Sequence, residues 1–246
     1  MSAACLCTYG YSQLFRLSYT SQMNAEQAAL LDRFAQGYQY GRGVAHARKV
    51  ADLSASLFDQ LNEYRLLESM SGNDRRILYA AGITHDVGAA QQAQEDAGTL
   101  PVWAASTGRS NNGVVSFLLL KRLLDNPPGP LVRAPLSAET RSTLLYSVLW
   151  SDLGSQLEVP EEPLPAPKHT RQLASILRIA QCLDYSLRGL VSGIQVIKAD
   201  YWVRILVRSM GSVEQEVAEA AVHARVLEES LRTRVFVQEV IEEDEA

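Results

Sequence analysis

Apolar positions recur every three or four residues along most of this chain and alternate only near its C-terminal end. A first helical run opens at Asn24, a capping residue with Gln27 three positions on, and carries Leu30, Leu31 and Phe34. Residues 37–43 interrupt it. A long stripe over residues 44–64 follows, with Ala47, Val50, Ala51, Ser54, Leu57, Phe58 and Leu61 on one face and His46 at its edge. The next helix enters through residues 71–74 and carries Ile77, Leu78, Ala81 and His85 at helical spacing, so its last imidazole lies on the apolar face. Gly88 stands where a helix end favours a residue free to take positive φ.

Residues 89–109 are irregular and are expected to form a long surface loop. A helix over residues 114–124 is stopped by the proline-rich stretch 125–130, and Ser137 caps another that runs to about Trp150. A proline-rich linker is expected over residues 158–167. The helix predicted over residues 168–188 presents Leu173, Ile176, Leu177, Ala180, Leu183 and Leu187, and Asp184 falls on the same face. After Gly189 the period changes to two: Ile194, Val196 and Lys198, then Trp202, Arg204, Leu206 and Arg208, predict a hairpin turning at Ala199 and Asp200. A helix over residues 213–231 and a strand over 234–241 complete the pattern. The fold expected is mainly α, a helical bundle over residues 24–190 followed by a small α+β lobe of ββαβ order over 191–246, with residues 1–23 as a loose N-terminal arm.

Composition narrows the function classes. With 47% hydrophobic residues and 21% charged, the 246-residue chain has ample material for a core. Its net charge of −5 argues against a general nucleic-acid binder, while leaving room for a local basic patch. No apolar run is long enough to span a membrane, and the first residues lack the pattern of a secretory signal, so no membrane partner and a cytoplasmic location are expected. Three cysteines, Cys5, Cys7 and Cys182, make no disulfide framework; Cys182 is expected as a buried thiol.

Four residues carry the candidate chemistry: His46, His85, Asp86 and Asp184. With four histidines and 11 aspartates in the chain, a His-Asp dipeptide arises by chance about 0.2 times, so the pair alone carries little weight. A carboxylate on an apolar helix face does require a partner, whether an arginine such as Arg178 or Arg188 or a metal. Two imidazoles and two carboxylates suit one divalent cation: Mn²⁺, Mg²⁺, Fe²⁺, Ni²⁺ or Zn²⁺. Such an ion lowers the pKa of water and polarises a phosphoryl group.

The order His, His-Asp, Asp on successive helices resembles the HD-domain family of metal-dependent phosphohydrolases. The stretches 46–51, 58–61, 79–88 and 177–191 are more closely similar to the C-terminal helical region of exopolyphosphatase/guanosine pentaphosphate phosphatase proteins, as is the β-rich ending. The resemblance implies a one-metal site on His46, His85, Asp86 and Asp184, with Asp86 also orienting the attacking water. The substrate it implies is a phosphorylated small molecule or nucleotide. Arg42, Lys49, Arg109 and Arg188 are candidates for substrate phosphate. Asn111 and Asn112 could line the pocket, although capping of the next helix explains at least one of them. Two departures stand out. The actin-like part that carries polyphosphate cleavage in that branch is not among these residues, so that activity is not implied. Stretches 107–113 and 149–152 lack the histidines that the family often has there. The alternative is a catalytically degenerate relative acting as a nucleotide-sensing or dimerisation module, and a homodimer is compatible with either reading.

Overall fold

The computed structural model describes residues 22–67, 70–98, 112–127, 135–153 and 169–240. Among them are eight α-helices: α1 (Ala25–Gly37), α2 (Val44–Glu63), α3 (Gly72–Thr84), α4 (Gln91–Ala97), α5 (Asn112–Asp125), α6 (Ala138–Leu153), α7 (Thr170–Cys182) and α8 (Glu214–Leu231). Three strands join them: β1 (Val191–Lys198), β2 (Trp202–Ser209) and β3 (Arg234–Glu239). The mainly helical body with a small C-terminal α+β lobe is therefore as the periodicity predicts. No described helix is long and apolar enough to cross a membrane.

Local sequence explains the helix starts. Asn24 and Gln27 form a reciprocal capping box on α1, and Ser71 with Asp74 form another on α3, so orphan N-terminal amides find side-chain oxygens. Ser137 Oγ accepts the Thr140 amide at 3.1 Å at the start of α6. Met23, at the end of the expected loose arm, is instead fully packed, and its amide donates to Asn73 Oδ1 at 2.6 Å. The remainder of that arm, apart from Gln22, lies outside the described residues, as do the proline-rich stretch 158–167 and the acidic end.

Three expectations change. The stretch after His85 is not all loop: a 3₁₀ turn at Val87–Ala89 leads into α4, whose Ala93 is buried. Gly88 does not take positive φ; a Cβ there would lie 2.1 Å from the Asn112 carbonyl oxygen, so glycine is demanded by the close approach of α5. The helix expected over 168–188 ends at Cys182, and Asp184 sits in the turn beyond it. Its direction is set by that turn rather than by helical phase. Cys182 itself is buried, and burial pushes its thiol up to about 11.

The lobe is a three-stranded sheet in the order β1-β2-β3, antiparallel between β1 and β2 and parallel between β2 and β3, with α8 as the crossover that a parallel pair requires. One apolar cluster runs from Leu31 and Leu57 through Leu149 and Ile176 to Val203, Ile205 and Val207 of β2 and on to Leu227, so bundle and lobe share a core. The three β2 residues are fully buried. The Gln60 side chain on α2 ties the two parts together, donating to the Ile194 carbonyl at 3.2 Å and accepting the Val196 amide at 2.7 Å.

Candidate metal centre

Helices α2 and α3 approach unusually closely where Gly82 faces Ala51. A Cβ on Gly82 would lie 2.6 Å from the Ala51 Cα, so only glycine permits this packing. The approach brings His46, in the first turn of α2, against His85, the C-cap of α3. Their rings meet edge to face, with centroids 5.3 Å apart and planes at 61°. Both are buried.

Each imidazole is oriented by its Nδ1. His85 Nδ1 lies 2.7 Å from the Gly82 carbonyl oxygen, which can only accept, so Nδ1 carries the proton. His46 Nδ1 donates to Asp184 Oδ2 at 2.8 Å. The two Nε2 atoms are buried and have no hydrogen-bond partner among the described residues. Burial pushes the His85 pKa down to about 4; the Asp86 charge opposes this, and His46 adds to it. His85 is therefore a neutral imidazole with a bare Nε2 lone pair at neutral pH.

Asp86 follows directly, as the N-cap of the 3₁₀ turn. Its Oδ2 accepts from Arg42 Nε at 2.5 Å and from the Arg42 amide at 3.3 Å. Gly41, with φ of +71°, holds the Arg42 loop against this turn; a Cβ there would meet the Asp86 carbonyl oxygen at 1.7 Å. His46, His85 and Asp86 each offer a ligand atom, and these atoms lie within 4.8 Å of one another. This buried group could hold a metal ion, and the two orphaned nitrogens are the feature that a cation would satisfy.

Asp184 stands outside that group. Its Oδ2 is used by His46 Nδ1 and its Oδ1 accepts the Gly189 amide at 3.0 Å. Among the described residues it pairs with neither Arg178 nor Arg188. A carboxylate accepting from Nδ1 fixes the ring orientation and leaves Nε2 as the nitrogen free to act as a ligand.

Of the cationic candidates, Arg42 reaches the group through Asp86. Lys49 is half-buried on α2 and Arg188 is exposed, and neither forms an ion pair among the described residues. Arg109 and Asn111 lie outside the described residues. Asn112 opens α5, with its carbonyl oxygen against Gly88.

Sequence reasoning missed Asp152. It lies in the last turn of α6 and accepts the Gly113 amide at 3.0 Å. Burial pushes its carboxyl above the usual range; the Gly113 amide and Arg178 oppose this, and the nearby Asp86 charge reinforces it. In the sequence, the stretch 149–152 is informative only as one lacking histidine. The available signal is a carboxylate at the end of an apolar helix; only the structure shows that a Cβ on Gly113 would lie 2.3 Å from the Asp152 Cβ. No family model matches this sequence, and no curated protein matches it.

Proposed function

We propose that this protein is an HD-type metal-dependent phosphohydrolase acting on a phosphate ester, with a nucleotide as the favoured class. The observation that carries the reading is the pair of buried Nε2 atoms, partnerless among the described residues, on two histidines grouped with Asp86. His46, His85 and Asp86 would hold one divalent cation, with Asp184 keeping His46 in the ligating tautomer. Two imidazoles and a carboxylate favour Mn²⁺, Fe²⁺, Ni²⁺ or Zn²⁺ over the oxygen-seeking Mg²⁺. Bound there, the cation would supply Lewis-acid activation of water and of the phosphoryl group. The Arg42 guanidinium meets Asp86 through Nε, and among the described residues its terminal amines remain for a phosphate oxygen.

The test is elemental analysis of the purified protein and of His85→Gln, followed by phosphate release from nucleoside monophosphates after Mn²⁺ loading. About one transition metal per chain, reduced in the variant, with metal-dependent phosphate release, is the expected result. Metal without turnover points to the sensing module instead. No metal in the wild-type chain after incubation removes the hydrolase reading.

A further inference from the structure

The sheet of the C-terminal lobe has two unlike faces. Val203, Ile205 and Val207 of β2 and Val235 and Val237 of β3 are buried in the shared core. The alternate positions, Trp202, Arg204, Leu206 and Arg208 on β2 and Arg234 and Phe236 on β3, form the opposite face. The register places Arg234 beside Trp202 and Phe236 beside Arg204. Arg208, Arg234 and Phe236 are exposed.

Two features separate this face from an ordinary solvated one. None of its three arginines pairs with a carboxylate among the described residues, although the chain as a whole is acidic. Arg204 instead lies over the Trp202 ring, 4.7 Å from its centroid, and its buried Nε has no hydrogen-bond partner among the described residues. Cationic groups interleaved with aromatic rings on an open sheet match a chain of phosphates carrying flat bases. Arg204 and Arg208 are four residues apart on one strand, roughly 13 Å, so they can follow a backbone running along β2. A second copy of the same face would set these arginines against each other. An acidic peptide would satisfy the charges and leave the rings unused.

We propose that this sheet face binds single-stranded nucleic acid, with Arg204, Arg208 and Arg234 meeting phosphates and Trp202 and Phe236 stacking on bases. The surface is separate from the histidine site and does not depend on its chemistry.

The experiment is fluorescence anisotropy of the full chain with labelled dT20 and U20, a 20-base-pair duplex and a poly-glutamate peptide, across a salt series. Single strands are expected to bind best. The double variant Arg204→Gln with Arg208→Gln should weaken binding at least tenfold and reduce the salt slope by about 1.4, two phosphate contacts' worth. Phe236→Ser should weaken binding while leaving the salt slope unchanged. Circular dichroism and melting temperature establish that the variants fold, and the double lysine variant should recover much of the salt slope. Absence of single-strand binding, binding unaffected by the double glutamine variant, or preference for duplex or poly-glutamate would each overturn the proposal.

Discussion

His46 Nδ1 donates to Asp184 Oδ2 at 2.8 Å across 138 residues of sequence, and both groups are buried. The contact ties the first turn of α2 to the turn after α7 and fixes the orientation of the His46 ring, whose other nitrogen is buried. Asp184→Ala leaves a buried donor without its acceptor, a cost of about 1–3 kcal/mol. It should also weaken Mn²⁺ binding roughly 10–100-fold, as loss of a supporting carboxylate does. Calorimetric titration with Mn²⁺ measures this; unchanged affinity would show that Asp184 does not support the site.

Gly82→Ala inserts a methyl group 2.6 Å from the Ala51 Cα, where only backbone movement can make room. The expected loss is about 1–3 kcal/mol, with separation of the two histidines and weaker metal binding. Gly72→Ala is the control, because its Cβ would meet nothing within 4 Å. A melting comparison in which both variants behave alike would contradict the close-packing account.

His85 gives the site an acid sensitivity. Its folded pKa is about 4, against an unfolded value near 6.5. As pH falls through that interval the unfolded chain takes up a proton that the folded one refuses, so stability declines. Urea titrations in EDTA from pH 7 to about 4.5 should show a decline that is shallower in His85→Gln. Parallel curves would mean that the imidazole is not held neutral.

The pair His169 and Asp74, 3.1 Å apart, has a different dependence. The hydrogen bond to Asp74 raises the His169 pKa against the opposing effect of burial. Burial pushes Asp74 up, but His169 and the Ser71 amide and hydroxyl together hold it below its ordinary value. The His169 contribution is complete below the unfolded histidine pKa and is lost as pH rises through the raised folded value. The Asp74 contribution is complete above the unfolded carboxyl value and is lost as pH falls through the depressed one. His169→Ala should therefore cost most between about pH 4 and 6.5, on the order of 1 kcal/mol, and least in alkali. A cost independent of pH would indicate packing alone.

Asp152 carries its charge at a cost, because burial and Asp86 both raise its pKa. Asp152→Asn keeps an acceptor for the Gly113 amide and removes that charge. Melting temperature at about pH 7.5 should rise by a few degrees, roughly 1 kcal/mol. A fall would show that the carboxylate charge is needed for the fold.

The elements that depend on local periodicity and capping are legible in the residues alone. The α2 stripe, the His85 helix end, the hairpin and the β3 strand all follow from spacing, because side-chain direction in a regular element is a function of residue number. His46, His85 and Asp86 stand out for that reason. How these residues are used depends on packing between elements. Asp184 faces His46 Nδ1 because the helix stops at Cys182 and a turn redirects the chain. Gly88 serves close packing rather than positive φ, and Asp152 meets Gly113 across 39 residues. Such relationships arise where separate elements meet, and no local pattern encodes the distance between two side chains that only the common core brings together.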